Sequence, residues 1–102
     1  MSTIKYQVRL LKIAEEDFTE IISFIAADNP LAANSLAGKI ENNLELLSDN
    51  PLLGRIPRDE EIRNLGYRYI IVQNYIIFYT IEERTILVHR ILHGARNYKS
   101  IL

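Results

Sequence analysis

Two helical patterns meet at Asn29-Pro30, and that joint limits the possible folds more than any other feature of the chain. Ala14, Phe18, Ile21, Ile22 and Ile25 recur at the spacing of one helical face, and the pattern gives out near Asp28. Asparagine caps helices through its side-chain oxygen, and proline suits the first helical position, where its missing N–H is not needed. A second helix is therefore predicted from that point, with Ala33, Leu36, Ala37, Ile40, Leu44 and Leu47 on one face and a stop before Asn50-Pro51. At ~1.5 Å per residue its roughly nineteen residues would span about 28 Å. So short a joint makes the pair antiparallel, and Gly38 is expected to let the two backbones approach closely. Glu15, Glu16 and Asp17 are read as first-turn acids that the helix dipole favours.

On either side of the hairpin the period changes to two. Lys5–Leu11 alternates, with Tyr6, Val8 and Leu10 on one side, and reads as a strand. Pro51 to Pro57 is a loop by its proline and glycine punctuation. Ile62–Leu65 resumes strand character, Gly66 suggests a bulge, and Tyr67–Val72 continues the strand. Gln73-Asn74 reads as a tight turn. Tyr75–Ile81 is almost wholly apolar, as a strand covered on both faces would be. Glu82-Glu83-Arg84 turns the chain once more into a last strand, Thr85–His93. In that strand Ile86, Val88, Arg90 and Leu92 are assigned to one side and Leu87, His89, Ile91 and His93 to the other. The expected fold is α+β, in the order β-α-α-β-β-β: an antiparallel helix hairpin packed on a small twisted sheet whose C-terminal three strands form an antiparallel meander.

Composition narrows the function classes. At 102 residues and 48% hydrophobic the chain is expected to form one domain over 1–102, burying roughly 60–70% of its extended surface. The absence of cysteine removes disulfides and thiolate metal sites and fits a reducing compartment. His89 and His93 alone do not make a zinc site, so no metal or cofactor is expected. The N-terminus lacks the apolar stretch of a signal peptide and no run is long enough to cross a bilayer, so the expected location is cytoplasmic, with no membrane partner. The net charge of −1 conceals a sorted distribution. Residues 1–50 carry eight acids against Lys5, Arg9, Lys12 and Lys39, whereas residues 51–102 carry seven arginines and Lys99 against five acids. Arginine favours planar, bidentate contact with carboxylate or phosphate, but the overall balance is not that of a strong nucleic-acid binder.

The last strand runs into Arg90-Ile91-Leu92-His93-Gly94-Ala95-Arg96-Asn97-Tyr98, groups able to bind an anion, share a proton or hold a partner. Together with Arg63 these are the candidate site residues: Arg63, Arg90, His93, Arg96 and Tyr98, expected to face one hollow. Each has a plainer role to weigh. Arg63 can pair with Glu60 or Glu61, Arg55 can pin its loop, and His89 is read as structural. Tyr75, Phe78 and Tyr79 are core aromatics first.

In the order and spacing of its pieces the chain resembles the RelE/ParE superfamily of bacterial toxins, the toxic halves of type II toxin–antitoxin pairs. The pieces are Ala14-Glu15-Glu16-Asp17-Phe18, Asn29-Pro30 with Ala32-Ala33, Asn50-Pro51 with Gly54-Arg55, Ile62-Arg63-Asn64-Leu65, Tyr75-Ile76-Ile77-Phe78-Tyr79, and Arg90-Ile91-Leu92-His93 with Arg96. The RelE-like branch implies a ribosome-dependent mRNA endoribonuclease, in which Arg63, Arg90 and Arg96 would stabilise charge and His93 or Tyr98 would move the proton. That branch places an arginine after the aromatic opening the central strand; here Ile76 follows Tyr75. The ParE-like branch, associated with plasmid stabilisation, implies a protein that poisons DNA gyrase by contact and tolerates an apolar residue there, so it is the favoured reading. A silent homologue that only binds antitoxin is a third. The resemblance further implies a cognate antitoxin on the helix pair, at Phe18, Ile22, Ile25, Leu36, Ile40, Leu44 and Leu47, and leaves open a homodimer or a larger toxin–antitoxin assembly.

Overall fold

The computed structural model describes residues 5–94 and 102. In chain order its elements are β1 (Gln7–Leu10), α1 (Lys12–Asp28), α2 (Pro30–Asp49), a 3-10 turn (Pro51–Leu53), α3 (Glu60–Asn64), β2 (Arg68–Val72), β3 (Tyr75–Glu82) and β4 (Thr85–His93). The strands form one sheet in the order β1-β4-β3-β2, with β1 parallel to β4 and the other pairs antiparallel. The α+β class, the helix hairpin and the C-terminal meander are as the sequence predicts. Asn29 caps α2 as expected, its side-chain oxygen accepting from the Ala32 N–H at 3.1 Å.

The core lies between the hairpin and one face of the sheet. Ala14, Leu36, Ile40 and Leu47 from the helices meet Ile70, Val72, Ile77, Tyr79, Ile86, Val88 and Ile91 from the strands. Gly38 plays no part in close helix approach, since a Cβ there would meet nothing within 4 Å. The end of α2 is tied to the start of the sheet: the Ser48 hydroxyl donates to the Tyr6 carbonyl, and the Tyr6 N–H donates to the Ser48 carbonyl.

Residues 60–64 are helical, whereas strand character is expected from the sequence over Ile62–Leu65. Asp59 accepts from the Ile62 N–H at 3.0 Å and Glu60 and Glu61 fill the first turn, which are helix-start signals. Gly66, at φ +88°, ends this turn of helix rather than bulging a strand, donating its N–H to the Arg63 carbonyl. The irregularity in the sheet sits instead in β4. Tyr79 pairs with Val88 and Phe78 with Arg90, leaving His89 as the extra residue. That insertion reverses the alternation, so Ile91 joins Ile86 and Val88 on the helix side and the expected grouping with Arg90 and Leu92 does not hold.

Candidate functional site

The helix-side margin of β4 holds one part of the site. β1 pairs with β4 only as far as Val88, so beyond that point no strand among the described residues flanks β4 on that side. Asp17 of α1 takes over. Its carboxylate accepts from Arg90 Nε at 2.7 Å and Arg90 Nη2 at 2.9 Å, and also from the Ile91 backbone N–H at 3.0 Å. Both side chains are nearly buried, 15% exposed for Arg90 and 11% for Asp17. Hydrogen bonding to Asp17, with burial opposing it, raises the Arg90 pKa above its already high ordinary value. Arg90 is thereby committed to the fold and does not project as a loose cation. Because α1 begins at Lys12, its first turn contains only Glu15 of the three acids expected there, and Asp17, beyond it, forms this bracket instead.

Beside the bracket lies a cleft of about 420 Å³ lined by Asp17, Glu20, Ile21, Phe24, Tyr75, Ile91, Leu92 and His93. His93 packs edge-on against Tyr75, with ring centroids 5.6 Å apart and planes at 87°. Arg63 lies elsewhere, on α3, where its Nη1 donates to the Arg58 carbonyl at 3.2 Å; the expected pairing with Glu60 or Glu61 gives way to that bond. The clefts that His93 lines do not include Arg63. Arg63, Arg90 and His93 therefore do not converge on one hollow, and Arg96 and Tyr98 lie outside the described residues.

The expected antitoxin residues on the helices are mostly interior. Leu36, Ile40 and Leu47 are buried, and Phe18, Ile22, Ile25 and Leu44 are half-buried against the core, so they build the molecule more than they present a groove. The exposed large apolar residues include Phe24, Leu31, Ile56, Leu65 and Ile71.

The other face of the sheet, away from the helices, is aromatic. Tyr67 stands edge-on to Phe78, Tyr69 tilts against Phe78, and Tyr67 packs on His89 with centroids 4.8 Å apart. The bulge lets His89 bond two hydroxyls, Thr80 Oγ1 at 2.8 Å to Nε2 and the Tyr67 hydroxyl at 3.3 Å to Nδ1. A neutral imidazole suits this arrangement, donating from one nitrogen and accepting at the other. Burial lowers the His89 pKa, partly offset by Glu82, and burial raises that of Tyr67. The structural role read for His89 matches these contacts.

The loop after α2 frames this face. The Tyr79 hydroxyl donates to the Pro51 carbonyl at 2.7 Å and accepts from the Gly54 N–H at 2.8 Å. Only glycine fits at 54, since a Cβ would come within 2.6 Å of the Tyr79 ring. Arg68 Nη1 donates to the Gly54 carbonyl at 3.0 Å. The Arg55 backbone exchanges two hydrogen bonds with Tyr69, of 2.8 and 3.0 Å, so Arg55 pins the loop through its main chain. Between this loop and the sheet lies a cleft of about 180 Å³ lined by Pro57, Arg58, Tyr69, Ile71, Ile76 and Phe78. Sequence reasoning missed two of these features. Asp17 had a signal: it falls at helical spacing between Ala14 and Ile21, on the buried stripe. Arg58, Tyr69 and Ile71 had none, because the loop that brings Arg58 to the sheet is placed by tertiary contacts.

A family model described as the ParE toxin of the type II toxin–antitoxin system parDE matches residues 8–98. Among solved structures, the chain resembles one from a chromosomal ParDE system of P. aeruginosa, at 16% identity and a TM-score of 0.72, over 90% of this chain and 98% of that one. It also resembles one from the toxin–antitoxin complex RelBE2 of Mycobacterium tuberculosis, at 23% identity and a TM-score of 0.64, over 93% and 98% of the two chains. At these identities both likenesses concern the fold. No curated protein matches. The chain belongs to the ParE toxin family of type II toxin–antitoxin systems.

Proposed function

We propose that this toxin acts by protein contact on DNA gyrase, in the cytoplasm, and that a cognate antitoxin neutralises it; a role in plasmid stabilisation goes with that reading. The observation that carries it is Ile76. In the RelE-like pattern the residue at this place is an arginine that would stabilise transferred charge. Here it is an aliphatic side chain on the floor of an aromatic cleft beside Tyr69 and Phe78. An apolar, aromatic surface with arginine at its edge is the composition of a protein-binding patch. The ion pair of Arg90 with Asp17 supports the same reading, since a cation already satisfied by a carboxylate has little left for a phosphorane. Purified toxin should inhibit supercoiling by gyrase while leaving messenger RNA intact, and added antitoxin should restore supercoiling. Unimpaired supercoiling at high toxin concentration, or cleaved transcripts that vanish in His93→Ala, would overturn the proposal.

A further inference from the structure

We infer that the β2 edge and the cleft beside it form a docking site for an extended segment of the toxin's target protein, one that carries an apolar side chain next to a carboxylate. The inference rests on the protein-contact reading, whose Ile76 floors the same cleft. β2 is an outer strand of the sheet. The N–H and C=O of Tyr69 both go to Arg55, away from β3. Backbone groups alternate sides along a strand, so those of Ile71, two residues on, point to the same open side. Among the described residues none is seen to take them up. The Arg55 bridge shows that this edge accepts an antiparallel partner, and Ile71 at 51% and Ile56 at 54% exposure leave apolar surface along it.

A segment that adds here gains main-chain hydrogen bonds from Ile71, while every second side chain turns toward the open face of the sheet. That side chain meets a cleft whose lining is apolar and aromatic except for Arg58, and whose volume of about 180 Å³ suits a single side chain. The Arg58 guanidinium then selects a carboxylate on the incoming segment, which it can bind with two parallel hydrogen bonds. Charge sorts the faces as well. The outer side of α1 presents Glu15, Glu16 and Glu20, which repel an acidic segment, whereas Arg58 draws it to β2. The edge is bounded by the Arg55 bridge on one side and the Gln73-Asn74 turn on the other, so the docked stretch is only a few residues long.

Two measurements test this on the full chain. In a supercoiling assay, Arg58→Glu should raise the toxin concentration for half-inhibition at least about tenfold, because it places like charges together. Ile71→Pro, which removes the outward N–H together with one apolar side chain of the cleft lining, should act in the same direction. Lys39→Glu, the same charge change on an exposed part of α2, should stay within about twofold. Separately, an acetylated hexapeptide alternating valine and glutamate should shift the amide resonances of Tyr69 and Ile71 in the wild-type protein, and the version with lysine for glutamate should not. Arg58→Glu inhibiting as well as wild type overturns the docking site. So does a peptide that shifts other residues or none, and so does an Arg58→Glu variant that loses antitoxin binding but keeps inhibition, which would hand the face to the antitoxin. A wild-type protein that fails to inhibit supercoiling defeats the gyrase reading instead, and the peptide titration still decides the site.

Discussion

Against the helices the sheet keeps a charged pair, Asp17 with Arg90; on its open face it keeps an uncharged trio, Tyr67, His89 and Thr80. The difference follows from what covers each face. Under α1 the guanidinium is largely shut off from water, so it needs a carboxylate in bidentate geometry, and that carboxylate also satisfies the Ile91 N–H left by the end of β1. On the open face the imidazole is only half-buried, yet burial still disfavours its charged form, and two hydroxyls satisfy it without any ion. The helix side is therefore closed by ionic bonds, and the open side remains a neutral aromatic floor with its charge at the rim, in Arg58.

The comparison breaks most visibly at Asp17. Asp17→Ala should destabilise the fold by about 3–5 kcal/mol, since it strands a nearly buried arginine. Removing both partners in Asp17→Ala with Arg90→Met should recover much of that loss, as measured by urea denaturation; if the double variant is no more stable than the single one, the ion pair is not what closes this side. Next in size is the anchor of the loop over the open face. Tyr79→Phe leaves the Pro51 carbonyl and the Gly54 N–H without their partner and should cost about 2 kcal/mol by the same measurement. A loss as large as that at Asp17 would mean that the hydroxyl holds more than the loop.

The smallest effect sharpens the uncharged half of the comparison. His89 has a lowered pKa in the folded state, so as pH falls through about 6.5 the unfolded chain takes up a proton that the folded chain still refuses. Stability should be level at neutral pH and decline on the acid side of 6.5, between the unfolded and folded values. In His89→Gln, which keeps a donor and an acceptor but does not titrate, that part of the decline should vanish from the melting temperature plotted against pH. An unchanged slope would place the titration elsewhere.

Much of the architecture was legible because period and punctuation are local. Asn29-Pro30 marks a helix boundary through one cap and one missing N–H, and the structure begins α2 there. The β3 and β4 strands and both turns between 72 and 85 were equally plain. The segment 60–64 differs because the short apolar-flanked run Ile62–Leu65 reads as joined to the strand that follows it, although its i, i+3 spacing, the Asp59 cap, the acids after it and Gly66 at positive φ all carry a helical preference. The β4 bulge left only a faint trace, the spacing of Ile86, Val88 and Ile91 around two polar residues. It misassigned a whole set of side chains because one inserted residue reverses every later one.

The order of helices and strands, the apolar stripes and the family pattern are properties of neighbouring residues, and the amino-acid sequence by itself determined them. Where the arginines go was decided only by tertiary structure. Arg90 meets Asp17 across 73 positions of chain, and Arg58 reaches the sheet because Tyr79 and Tyr69 hold its loop. Hydrogen bonds and ion pairs are made by groups that fold together in space, and a charge reads the same in sequence whether a carboxylate waits for it or not.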